Sequence, residues 1–186
     1  IGISTEVIPT SEISRLGHKS SSQSEISYNQ LTLGKGLYNN LGLFVQFTPF
    51  SQKEDISSFG GQIRWCFYQA EYMPAHLSMV GHANSVSYQN KINLSSTGYD
   101  FVGGFTVDDV TLYVGMGLIT SHGQFLGGGV NNVSGGITDS GLKENETVSS
   151  NHFLSGVDIR FRKFFLALEM DRYEDIVYGA KLGLRF

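Results

Sequence analysis

The residues with chemistry to offer concentrate near the C-terminus. Asp158, Arg160 and Arg162 alternate along one stretch, Glu169 and Asp171 along the next, and Lys181 and Arg185 along the last. Alternate residues of an extended chain share a face, so these acids and bases line successive segments on one side, and Arg64 joins them from further upstream. Hairpin pairing is expected to set Glu169 between Arg160 and Lys181. Such a set could line a charged constriction for small solutes. It could equally fill a narrow lumen as an ion-pair network. The near balance of charge favours the filled lumen.

A second grouping has the elements of nucleophilic catalysis. His76 and Ser78 share a face, and Asp100 stands on the mixed face of the neighbouring segment. A base two residues from a hydroxyl can make the hydrogen bond that activates it. Polar wall residues account for the same pattern, and no enzyme is expected. The histidines His18, His76, His82, His122 and His152 show no metal-ligand spacing; His76 and His82 share a parity but lie too far apart to be neighbouring ligands on one strand. No metal and no cofactor is expected. Cys66, the only cysteine, excludes an internal disulfide and reads as a buried or wall-facing thiol.

These residues must be positioned by strands. Hydrophobicity alternates with period two through most of the chain. Ile176, Tyr178, Ala180, Leu182, Leu184 and Phe186 oppose Val177, Gly179, Lys181, Gly183 and Arg185. In the same way Val110, Leu112, Val114, Met116 and Leu118 oppose Thr111, Tyr113, Gly115 and Gly117, and Ile63, Trp65 and Phe67 oppose Gln62, Arg64, Cys66 and Tyr68. The pattern predicts ten strands: Ile3–Ile13, Glu25–Leu33, Leu41–Pro49, Phe59–Ala70, His76–Ser87, Ser96–Val107, Val110–Ile119, Asn151–Arg162, Phe164–Asp171 and Ile176–Phe186. The eight from Leu41 onward carry the clearer pattern, because Pro9 interrupts the first. Residues 1–35 are an arm, a plug or the first strands. Tight turns are expected at Tyr72-Met73-Pro74-Ala75, Asp108-Asp109 and Arg162-Lys163. Thr120–Ser150, rich in Gly, Ser and Asn, reads as one long loop.

The 186 residues suit a single domain, 1–186. A formal charge of −4 gives no basic footprint for nucleic acid. Charged residues make up 16%, below the roughly 25–35% of an ordinary soluble surface, and 23 glycines are present. Several segments approach the roughly 9–11 residues that a tilted strand needs to cross a bilayer. Arg64 facing lipid would cost about 2–4 kcal/mol, so Ile63, Trp65 and Phe67 are expected to take the lipid side. Trp65, Tyr38, Tyr99, Tyr173 and Tyr178 are candidates for an interfacial aromatic girdle. The start at Ile1-Gly2-Ile3 has no secretory leader, so one is expected to have been removed or to lie outside this chain.

The ending Tyr178-Gly179-Ala180-Lys181-Leu182-Gly183-Leu184-Arg185-Phe186 resembles the terminal strand of bacterial outer-membrane β-barrel proteins. The resemblance implies an all-β, closed antiparallel transmembrane barrel of eight to ten strands, with short periplasmic turns and one long extracellular loop. It implies that Tyr178, Leu182, Leu184 and Phe186 form the signal read by the barrel-assembly machinery. Outer-membrane lipid, lipopolysaccharide and a protein of the envelope are the partners it suggests. The expected role is an anchor, adhesion or assembly component in the bacterial outer membrane, with a narrow small-solute pore as the alternative. His76, Ser78 and Asp100 loosely resemble the site of lipid A-deacylating barrels, a further alternative. Asp171, Glu174, Asp175 and His152 are expected near the outer rim, where omptin-like proteases carry their site, but the paired acidic motifs of that family are absent.

Overall fold

The structure, a computed structural model, describes residues 1–9, 25–48, 56–88, 92–126, 129–130, 137–138, 143–173 and 176–185. In chain order the strands are β1 (Gly2–Pro9), β2 (Glu25–Gly36), β3 (Leu41–Phe47), β4 (Ile56–Gln69), β5 (Ala75–Tyr88), β6 (Ile92–Val107), β7 (Val110–Leu126), β8 (Gly129–Val130), β9 (Ile137–Thr138), β10 (Lys143–Phe161), β11 (Phe164–Arg172) and β12 (Ile176–Leu184). Strands β8 and β9 pair only with each other. The other ten close into one antiparallel barrel in the order β1-β12-β11-β10-β7-β6-β5-β4-β3-β2.

Closure depends on β1, which pairs with both β2 and β12. The N-terminal ammonium of Ile1 also donates to the Leu184 carbonyl at 2.8 Å. Residues 1–9 and 25–36 are therefore wall, and the seam leaves neither terminal strand with an open edge along its paired length. Pro9 ends β1, where its missing N–H costs the ladder nothing further.

At one end of the barrel every connection is short. Residues 37–40, 70–74, 108–109 and 162–163 make short turns at the end that also holds Ile1 and the finish of β12. Asn39 and Asn40, both at φ 58°, give the first the paired left-handed geometry of a tight hairpin.

Two sequence expectations need correction. Thr120–Ser150 is not one loop: Thr120–Leu126 continues β7 and Lys143–Ser150 begins β10, paired from Thr120↔Ser149 to Lys143↔Leu126. Polar side chains on this stretch hide its periodicity, because neither face is apolar. Tyr68 was expected on the mixed face with Arg64. A register shift between Cys66 and Tyr68 inserts Phe67 as an extra residue and sets Tyr68 opposite Leu77, which is how a bulge re-aims a side chain. The Cys66 thiol donates to the Tyr68 carbonyl across it at 3.5 Å.

Candidate functional site

The inner face of the barrel is packed with polar side chains that use glycine to reach one another. Asp100 on β6 and His152 on β10 flank Gly117 of β7 in one register row. With no Cβ between them, His152 Nε2 comes to 2.7 Å from Asp100 Oδ1. A Cβ on Gly117 would collide with that carboxylate oxygen and with the Tyr99 carbonyl, and would lie 2.9 Å from His152 Nε2. His82 of β5 reaches the other oxygen, Asp100 Oδ2, through Nδ1 at 3.2 Å. Asp171 of β11 lies 3.9 Å from His152 Nδ1, and Tyr173 stacks on the His152 ring at 4.8 Å.

The same device recurs two inward-facing rows nearer the short turns. Tyr113 of β7 crosses Gly156 of β10 to donate its hydroxyl to Glu169 Oε2 of β11 at 2.7 Å. His76 lies over Gly104, and its Nε2 is 3.3 Å from Arg64 Nη2. Strand glycine is otherwise unfavourable, so close approach is its reason for being here.

The sequence-predicted lumen residues occupy several levels. Arg160 bonds to Asp158 on its own strand at 3.2 Å. Glu169 does not lie between Arg160 and Lys181. The register sets it opposite Gly156 and Gly179, while Arg160 faces Phe165 and Lys181 faces Ala167. Lys181 Nζ sits 5.8 Å from the centre of the Phe44 ring. Arg162 and Arg185 are exposed at the short-turn end and are not lumen residues. Arg162 occupies the turn itself at φ 49°. Tyr178, Leu182 and Leu184 point outward from β12, and Phe186 lies outside the described residues.

The catalytic grouping is not assembled. Asp100 is engaged by His82 and His152, His76 is placed against Arg64, and Ser78 sits opposite Cys66 and Val102. Nor is His152 at the rim: it is 3% exposed, inside the lumen, because β10 continues beyond it to Lys143. Glu174 and Asp175 lie outside the described residues. Tyr173 turns inward onto His152 and is no part of a girdle. Among the described residues no group of His, Cys, Asp and Glu has metal-holding geometry. Sequence reasoning missed the meeting of His82, Asp100 and His152. The available signal was glycine on the mixed face, at Gly98 and Gly117, but only register shows what each glycine admits.

The outer face has the opposite character. Reading across β5, β6, β7 and β10, one row is Met79, Phe101, Met116 and Phe153, and the row above it is Gly81, Tyr99, Leu118 and Asn151. Phe101, Met116 and Phe153 are 51%, 59% and 58% exposed. Around the rest of the barrel Ile3, Ile63, Trp65, Leu112, Val114, Leu168, Tyr178 and Leu182 are exposed as well, whereas Asp100, Thr111, Ser78 and Gln30 are buried. In water this inversion would leave a belt of apolar side chains unsatisfied. In a bilayer it is required, because lipid solvates the belt and closure satisfies the backbone. The molecule is a closed antiparallel β-barrel with the inverted polarity of one that spans a membrane.

In this barrel Arg64 faces inward and Trp65 faces lipid, as the alternation predicts. No protein-family model and no curated protein matches the chain. Among solved structures it is similar to the N-terminal β-barrel domain of Pseudomonas aeruginosa OprF, at 13% identity over 97% of this chain and 93% of that one, with a TM-score of 0.42. It is similar to Ail, the attachment invasion locus protein of Yersinia pestis, at 12% identity over 98% and 93%, with a TM-score of 0.41. A third likeness is to the KdgM porin, at 9% identity over 100% and 99%, with a TM-score of 0.45.

Proposed function

We propose that this barrel is a filled, non-enzymatic anchor in the outer membrane whose projecting wall engages a partner at the cell surface. The projection carries the reading. Strands β6, β7 and β10 have 16, 17 and 19 residues, against the roughly 9–11 needed to cross a bilayer. The apolar belt occupies their short-turn part, so the surplus stands above the membrane on the other side. Strand β11 ends at Arg172, opposite Phe153. Above that point, from Lys143 to His152, the edge of β10 away from β7 has no strand beside it among the described residues. An open edge of this kind is a template for pairing with an extended segment of another protein.

The lumen supports an anchor over a pore. Ser78, Asp100, Thr111 and His152 are 1%, 4%, 4% and 3% exposed, so water is excluded from the wall at those levels. Tyr178, Leu182 and Leu184, alternating on the outer face of β12, suit recognition by the barrel-assembly machinery during insertion.

The placement is tested by cysteine labelling of intact cells in a Cys66→Ser background. Thr147→Cys should react with a membrane-impermeant maleimide, and Asp109→Cys should react only after the outer membrane is permeabilised. The reverse pattern would overturn the reading. A photo-crosslinking amino acid at Ser149 should capture an envelope or surface protein, whereas one at Met116 should not. Equal products from the two positions would remove the role assigned to the projecting wall.

A further inference from the structure

The short-turn mouth of the lumen carries more positive charge than its inner acids balance. Arg64 stands opposite Gly42, one residue past the start of β3, and its Nη2 donates to His76 Nε2 at 3.3 Å. A guanidinium only donates, so the ring meets it with a lone pair and no charge. Among the described residues no carboxylate lies within ion-pair distance of Arg64. Arg160, two residues before the turn at 162–163, brings a second guanidinium near enough for its charge to act on the same ring. Its carboxylate partner is Asp158, on its own strand. Glu169, deeper in, is engaged by the Tyr113 hydroxyl.

The recess opens one way. The Arg160 side chain is 41% exposed, whereas Ser78, Asp100 and His152 above it are buried. A solute entering from this end meets the two guanidiniums and goes no further, which separates the recess from a conducting constriction. The rim extends the charge: Arg162, Lys163 and Arg185 are exposed, and the Arg185 N–H donates to the Lys163 carbonyl. Arg162 takes φ 49°, backbone that favours glycine or asparagine, so an arginine there answers to more than the turn. The acids Glu71, Asp108 and Asp109 stand in the turns on the other flank.

We infer that this mouth docks an acidic segment of a periplasmic polypeptide, one carboxylate entering between Arg64 and Arg160 and its neighbours lying along Arg162, Lys163 and Arg185. A single small anion would use the inner pair alone, whereas a run of carboxylates uses the pair and the rim together. Headgroups of the surrounding bilayer meet the outer wall, and Arg64 is on the inner one. The fork of a guanidinium matches a carboxylate with paired N–H donors, and complementary charge steers the encounter and rejects basic partners. The assignment to the periplasm rests on the membrane placement proposed above; the recess and its ligand class do not.

The test uses the full chain in neutral-detergent micelles and two fluorescent peptides of equal length, one alternating Glu and Gly, the other Gln and Gly, followed by anisotropy. The Glu peptide should bind and the Gln peptide should not, and added salt should weaken the binding. Arg64→Gln should weaken it about tenfold, the loss of one charge-assisted contact, while keeping the gel shift on boiling that marks a closed barrel. Arg64→Lys, which keeps the charge without the fork, should lose less. Arg162→Gln, an exposed change outside the lumen, should weaken binding several-fold even if Arg64 proves necessary for folding. Arg172→Gln, exposed where β11 ends at the opposite end of the barrel, should leave binding unchanged. Equal binding of the two peptides by the unaltered protein would overturn the inference, as would equal losses from Arg162→Gln and Arg172→Gln, which would reduce the effect to bulk charge. Abolition of peptide binding by anionic phospholipid added to the micelles would also overturn it, by giving the cations to lipid. Binding in micelles does not depend on orientation, so its failure sinks this inference alone, whereas failed labelling at Asp109→Cys sinks the placement.

Discussion

At the residue scale, the lumen depends on what is missing from its glycines. Gly117 lets Asp100 and His152 meet, and an added methyl there would strike a carboxylate oxygen and a backbone carbonyl that has no room to retreat. Gly117→Ala is expected to destabilise the barrel by about 1–3 kcal/mol, the usual cost of overpacking, read as a lower urea midpoint in folded-barrel assays. Asp100 is the shared partner of two histidines, and its side chain is 6% exposed. Removing it in Asp100→Ala leaves His82 without its hydrogen-bond partner and His152 without the carboxylate 2.7 Å from it, at a cost of about 1–3 kcal/mol. Asp100→Asn keeps an acceptor oxygen and should lose less. Identical midpoints for the two variants would show that the carboxylate is not what His82 and His152 require.

At the scale of the element, one strand passes through two environments. Strand β7 presents Leu112, Val114, Met116 and Leu118 to the belt and then Thr120, His122 and Gln124 above it. Met116→Arg places a charge in lipid and should cost about 2–4 kcal/mol, whereas Gln124→Arg, six residues further along the same face, should cost about 0–1 kcal/mol. The contrast is measurable by refolding into lipid vesicles. Equal penalties would mean that the belt does not end where the side chains change. This element also marks a limit of pattern reading. Period two was legible up to Ile119 because apolar and polar residues alternate there. Beyond it the strand continues with polar side chains on its outer face, and only the ladder to Lys143–Ser150 reveals it.

At the scale of the whole molecule, closure and filling make separate predictions. A barrel sealed by β1 against β12 should migrate faster unboiled than boiled on a gel in detergent, since closure leaves no unpaired strand within the apolar belt from which detergent can peel it. A lumen with His152 and Asp100 at 3% and 4% exposure should show no stepwise conductance in planar bilayers. Discrete conductance steps from purified protein would restore the narrow pore, with Arg64, Arg160 and Lys181 as its lining. A barrel that runs at one position before and after boiling would contradict closure itself.

Much of this architecture is written in local pattern. Alternation alone marks the eight strands from Leu41 onward, the inward Arg64 beside the outward Trp65, and the hairpins at Asp108-Asp109 and Arg162-Lys163, because strand period and turn chemistry act over a few residues. Residues 1–35 were ambiguous for the same reason: whether β1 is wall or plug depends on its pairing with β12, at the far end of the chain. Tyr68 changed faces through a bulge that a strict period of two does not contain. His82, Asp100 and His152 are far apart in sequence and met only because the register places Gly117 between two of them. Which side chains share a face is legible from the order of residues alone, since that follows from backbone geometry. Which faces lie side by side, at what height, and what crosses each glycine were decided only by barrel closure, since those depend on strand register and on contacts between distant segments.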